Sequence, residues 1–173
     1  MTVVGESMII DAVDLADTPV GTVPRSEVFQ RQANFRVSHV LIFNRRGDLL
    51  LQRLALNRTR NPGAWGSSVA SYLFSSENYV QAAQRRVGQE LGISDFVLVP
   101  LGKTEMLDDG CLKFISVFQS FHEGPFHYDP VHIDRVAFVS VPEIRQMMES
   151  GNGIFTPTFL RVFRFYLSRH PNE

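Results

Sequence analysis

Residues 71–93, SYLFSSENYVQAAQRRVGQELGI, decide how this chain is read. Val80, Ala83, Val87 and Leu91 recur at i, i+3, i+7 and i+11, the apolar stripe of an amphipathic helix. Ser75 or Ser76 is expected to cap that helix, Glu77 to sit in its first turn and Gly92 to end it. Positions 86, 89 and 90 then share one helical face. They hold Arg86, Gln89 and Glu90, whose formal charges sum to zero.

Upstream, residues 8–13 and 20–23 read as two short strands turning at Asp17-Thr18-Pro19. Residues 37–43 and 48–53 flank Asn44-Arg45-Arg46-Gly47, a hairpin signal with glycine available for positive φ. A polar connection, 54–63, ends in Asn61-Pro62-Gly63, which continues neither helix nor strand. An irregular or extended segment, 65–73, leads into the helix. After it, 96–98, 101–106, 111–121 and 135–140 are expected strands, with a loop at 122–132. Ser140-Val-Pro-Glu143 has the form of a capping box, opening a short helix to Glu149 that Gly151 and Gly153 terminate. Thr156-Pro157 opens the last helix, with Phe159, Val162, Phe163 and Tyr166 on one face. Strands, a helix, more strands and terminal helices give an α+β chain, an α/β/α sandwich around a mixed sheet.

The 173 residues fit a single domain, with a hairpin at about 8–24 and a core at about 35–168. Net charge is −1, so bulk electrostatics favours neither nucleic acid nor a membrane surface. The single cysteine, Cys111, excludes an internal disulfide framework and suits a reducing cytoplasm. Residues 1–17 lack a basic n-region and do not read as a secretory signal, and no apolar run reaches bilayer length. Several apolar surfaces could support a homodimer, and no residue pattern specifies one.

The 71–93 stretch resembles the Nudix box, G-x5-E-x7-R-E-U-x-E-E-x-G-U, with U aliphatic. Glu77, Arg85, Val87, Glu90, Gly92 and Ile93 match without a gap. Ser71 stands at the opening glycine, and Arg86 and Gln89 stand where the family has glutamates. The likeness extends outward through Gln52-Arg53, Arg58, Pro62-Gly63, Trp65, Ala82-Ala83 and Phe155-Thr156-Pro157, and is similar to the branch that includes isopentenyl diphosphate isomerase. It implies the Nudix sandwich and a diphosphate-cleaving ancestor. Isomerase chemistry is disfavoured, because that enzyme needs a cysteine on the segment before the box and 65–73 (WGSSVASYL) has none.

In the family the clustered carboxylates hold magnesium or manganese, whose coordination the substrate's phosphates complete. A guanidinium about 5 Å from a divalent ion, at an effective dielectric of about 20, is repelled by roughly 6 to 7 kcal/mol. The expectation is a protein that binds a nucleoside diphosphate linked to a second group, with metal-dependent turnover weak or lost and no obligatory metal. The rival is a working hydrolase holding its metal with Glu90, Glu77 and a carboxylate outside the box, with Glu105 best placed by order. The resemblance puts Glu90, Glu77 and Arg85 in the catalytic set and Arg53, Arg58, Arg86 and Trp65 at the substrate. Each has a plainer use: solvated loop arginines, a glutamate complementing a helix N-terminus, a salt bridge at Arg85, core packing for Trp65. His122, His127 and His132 fit no zinc spacing and read as a surface loop.

Overall fold

The computed structural model describes residues 8–151 and 154–173. Strands β1 (Ile9–Val13) and β2 (Pro19–Pro24) form a separate antiparallel hairpin, followed by a single 3-10 turn at Arg25–Glu27. The main sheet is built from β3 (Phe35–Phe43), β4 (Leu49–Leu54), β5 (Trp65–Gly66), β6 (Val69–Tyr72), β7 (Val99–Asp108), β8 (Cys111–Phe121) and β9 (Ile133–Val139). Helix α1 (Tyr79–Leu91) packs on one face over β3 and β6. Helices α2 (Val141–Glu149) and α3 (Pro157–Arg169) belong to the core of the other face. This is the expected α+β sandwich, and its sheet is mixed because β3 runs parallel to β8 and antiparallel to its other neighbours. No helix of the described residues is long and apolar enough to cross a membrane.

Alternation sorts β3 between two cores. Phe35, Val37, Leu41 and Phe43 join Phe159, Val162, Phe163 and Tyr166 of α3, while Val40 and Ile42 meet Ala83, Val87 and Leu91 of α1. The expected 37–53 hairpin forms only at its turn: β3 and β4 pair at Phe43↔Leu49 and then diverge. The partners differ because β6 pairs along β3 and β9 along β4. Ser68 fills the gap, its Oγ accepting from Ile42 N–H at 2.8 Å and donating to Leu50 C=O at 2.6 Å. Two backbone groups left by the divergence are thereby satisfied.

Other local readings shift. The cap of α1 is Asn78, in a reciprocal capping box with Gln81, and Glu77 precedes the helix instead of lying in its first turn. Ser75 and Ser76 bond Asp11 of β1 instead. Val80 is 41% exposed, and Ala82 takes its place among the buried residues. Residues 96–98 are not a strand: Phe96 and Leu98 pack toward α1, and the chain joins the sheet only at Val99. Gly92 ends α1 in the left-handed region as expected, and Gly151 is also at positive φ; Gly153 lies outside the described residues.

A buried histidine gives the fold a measurable acid sensitivity. His39, in mid-β3, is 5% exposed and shares a 2.8 Å hydrogen bond with Ser67 Oγ through Nδ1. Burial, and then the nearby Lys113 charge, lower its pKa from the ordinary 6.5 to about 3. A depressed folded pKa contributes stability above the unfolded value and loses it as pH falls toward the folded one. Stability should therefore drop by about 1.4 kcal/mol per pH unit below about 6.5, or roughly 2 kcal/mol between pH 7 and pH 5. Urea midpoints across this range should flatten in His39→Gln. The Asp17, Glu77 and Asp108 carboxyls, all shifted downward, act only at lower pH. An unchanged slope in the variant would refute the assignment to His39.

Candidate functional site

The resemblance puts the chemistry where α1 faces the end of β4. Gln52, 6% exposed on β4, donates from Nε2 to Glu90 Oε2 at 2.7 Å. Arg86 Nε lies 2.6 Å from the other oxygen, Glu90 Oε1. That contact is a charge pair without hydrogen-bond alignment, because the buried Nε–H has no acceptor among the described residues. Both oxygens of the surviving box carboxylate are thus engaged from within the protein.

Arg58 arrives on the 54–64 loop, which a tight turn folds back on β4. Gly63 N–H donates to Leu54 C=O and Leu54 N–H to Ala64 C=O. Gly63 has φ +72°, and a Cβ there would lie 2.9 Å from Leu56 Cδ2, so this turn requires glycine. Arg58 is about half buried, and burial, then the neighbouring Arg25 charge, push its pKa below the ordinary arginine value. Arg86 acts in the same direction and Glu90 opposes. Arg25, from the turn after β2, stands 4.6 Å over the Tyr72 ring. Neither Arg25 nor Arg58 has an ion-pair partner among the described residues. Together with Asn57, Thr59, Val131 and His132 they line an open cleft of about 320 Å³. The sequence marks Arg25-Ser26-Glu27 only as the end of a hairpin that resembles the same branch, and does not place Arg25 at the site. Only the path of the hairpin brings it to Arg58.

The remaining expected site residues are engaged elsewhere. Arg85 holds Glu77 through two hydrogen bonds, 2.7 and 2.8 Å, and reaches the Tyr72 carbonyl at 3.1 Å and Gln89 Oε1 at 3.3 Å. It fastens the β6–α1 connection and does not orient Glu90. Arg53 donates to Gly63 C=O and pairs with Asp134 at 3.1 Å, bracing the loop. Trp65 packs against the α3-side core beneath the Arg135 guanidinium, away from the cleft. Glu105 is exposed on β7, and β3 and β8 separate that strand from β4. At about 4.8 Å per strand this places it roughly 14 Å across the sheet from Gln52, so it does not reach Glu90.

A second hollow, of about 360 Å³, lies by the hairpin tip and is lined by Asp17, Arg36, Glu77 and Lys103 among others. Its charges are mutually paired. Asp17 accepts from Arg36, Lys103 and Tyr79, each at 2.7 Å, and Glu77 is held by Arg85. Burial opposes ionisation of Asp17, but these donors outweigh it and lower its pKa. This is a braced seam between hairpin and domain.

A divalent cation needs several hard oxygen ligands converging on one point. Glu90 offers oxygens already taken, Glu77 is clamped by Arg85, and Arg86 brings a positive charge to the same face. Among the described residues no three acidic, histidine or cysteine side chains form a metal-holding group. The donor set does not fit magnesium or manganese.

Comparison with known proteins agrees with this geometry at the level of family. The NUDIX domain model matches residues 34–159. An uncharacterised Nudix hydrolase of Pseudomonas aeruginosa is 30% identical over 162 residues, covering 94% of this chain and 95% of the relative. An isopentenyl-diphosphate Delta-isomerase of Streptomyces avermitilis is 28% identical over 148 residues, 82% of this chain and 75% of its own. A Deinococcus radiodurans crystal structure superposes with TM-score 0.79 at 21% identity, over 91% of this chain and 99% of that one. The NUDIX domain of Shewanella oneidensis NrtR, solved with ADP ribose, gives TM-score 0.63 at 10% identity, over 85% and 99%.

Proposed function

This chain belongs to the NUDIX family, and from that premise we propose that it binds a diphosphate-containing small molecule, a nucleoside diphosphate linked to a second group, with metal-dependent hydrolysis weak or lost. One observation carries the reading. Glu90 is occupied by Gln52 and Arg86, while Arg58, which feels the charges of Glu90 and Arg86, lines a cleft with Arg25 where neither arginine has a counter-ion among the described residues. Guanidinium forks suit phosphate oxygens, and partial burial strengthens each contact relative to water. The protein's part is to bind and orient the diphosphate between the Arg58 loop and α1.

A magnesium hydrolase built on Glu90, Glu77 and Glu105 would need those carboxylates at one ion, whereas Glu105 lies three strands from β4 and Glu77 is clamped by Arg85. Isomerase chemistry lacks its thiol: β6 carries none, and Cys111 is buried, with its Sγ 3.9 Å from the Val28 carbonyl. The lone buried thiol suits a cytoplasmic protein. The test is calorimetric titration with ADP-ribose, alongside a phosphate-release assay in magnesium and in manganese. Binding without appreciable turnover is expected, and Arg58→Ala should weaken it about tenfold or more. Absence of binding to ADP-ribose and to inorganic pyrophosphate, with or without metal, would overturn the reading.

A further inference from the structure

We propose that Arg86 acts as a resident cation in place of a metal ion, so that the cleft takes diphosphate in its free, unchelated form and magnesium opposes binding. This rests on the reading of the cleft as a diphosphate site and fixes the ionic form of the ligand. Arg58 feels the charges of Arg25, Arg86 and Glu90, so the four groups together carry a formal +2, and Arg86 is the one paired with Glu90. A free diphosphate group brings complementary negative charge. Chelation by magnesium adds two positive charges to the ligand, and the repulsion between that ion and the guanidiniums offsets part of their attraction to the phosphates.

The local geometry supports the exchange. The Arg86 Nε–H is buried and unaligned with the carboxylate oxygen 2.6 Å away, so this donor has no hydrogen bond to give up and reaches a ligand once the side chain turns. Its pairing with Glu90 has the weaker i,i+4 polarity and contributes little, so the guanidinium can turn toward a phosphate. Glu90 keeps Gln52 when it does. Arg25 lies outside residues 34–159, the segment matched by the family model, and is delivered by the N-terminal hairpin. The hairpin thus adds a third guanidinium to a site already lacking two carboxylates.

The experiment is titration of the wild-type protein with inorganic pyrophosphate, in chelator and then in excess magnesium, at matched ionic strength because screening alone weakens such contacts. Magnesium should weaken apparent affinity about tenfold or more. In Arg86→Glu/Gln89→Glu the sign should reverse, with magnesium tightening binding. Arg25→Gln should lose about tenfold in chelator. Wild-type binding that magnesium strengthens or leaves unchanged would overturn the resident-cation inference while leaving the diphosphate site standing. Failure to bind in either condition would overturn both.

Discussion

Arg86→Glu/Gln89→Glu is expected to create a divalent-metal site where the wild type has none that fits. The two substitutions remove one positive charge and add two negative ones, taking the 86/89/90 face from a formal charge of 0 to −3. At about 5 Å and an effective dielectric of about 20, removal of the guanidinium alone relieves roughly 6 to 7 kcal/mol of repulsion. Solvent and side-chain motion reduce that figure. A residue of about 3 kcal/mol would still tighten metal binding more than a hundredfold. Glu90 is then freed from Arg86 and retains only the Gln52 amide. Manganese titration should move from millimolar or undetectable to well below millimolar, and release of phosphate from ADP-ribose should rise with it. No gain in either would mean that Arg85, which already reaches position 89, captures the new carboxylate; an already active wild type with no gain would mean that other ligands do the work.

The second large effect concerns the ion cluster that steadies the Arg58 loop. Lys113, 7% exposed on β8, places its ammonium 2.5 Å from Asp108 Oδ2 and 2.8 Å from Thr158 Oγ1. The other Asp108 oxygen accepts from Arg60, two residues beyond Arg58, at 2.7 Å. Burial pushes the Lys113 pKa down and the Asp108 carboxylate holds it up. Asp108→Ala leaves a buried ammonium with one hydroxyl partner and reduces the hold on Arg60 to its 3.5 Å contact with Asp109 and its place over the Phe29 ring. Breaking a buried pair on one side costs about 3 to 5 kcal/mol, which for a chain of this length lowers Tm by roughly 10 °C. Urea unfolding should recover most of the loss in Asp108→Ala/Lys113→Met, because the second change removes the stranded charge. A loss below about 1 kcal/mol, or no recovery in the double variant, would show that water already solvates the ammonium. Pyrophosphate binding should weaken in Asp108→Ala as well, since Arg60 tethers the loop that carries Arg58.

Much of the fold was legible because its signals are local. The Ser140 and Thr156 caps, the positive-φ Gly92 and the α3 stripe from Phe159 to Tyr166 are set by neighbours within a turn or two, and the structure places each as read, except that Ser140 caps α2 through its own side chain only, without the return bond of a capping box. The misplaced cap of α1 was also local: Asn78-Tyr-Val-Gln81 is a capping box that can be read directly. The 96–98 misreading arose because alternating apolar residues satisfy a packed connection as well as a strand. The partial 37–53 hairpin is different, since only competition from β6 and β9 pulls its strands apart.

By itself the sequence determined the family, the layered fold and the presence of Arg86, Gln89 and Glu90 on one helical face, because each is a matter of residue type at fixed spacing. Tertiary structure alone decided which charges meet. It joined Gln52 to Glu90 across 38 residues, set Arg85 against Glu77 instead of Glu90, carried Glu105 to a distant strand and brought Arg25 to Arg58. Charge interactions act through space and depend on burial, so a site made of them exists only once hairpin, loop and helix have converged.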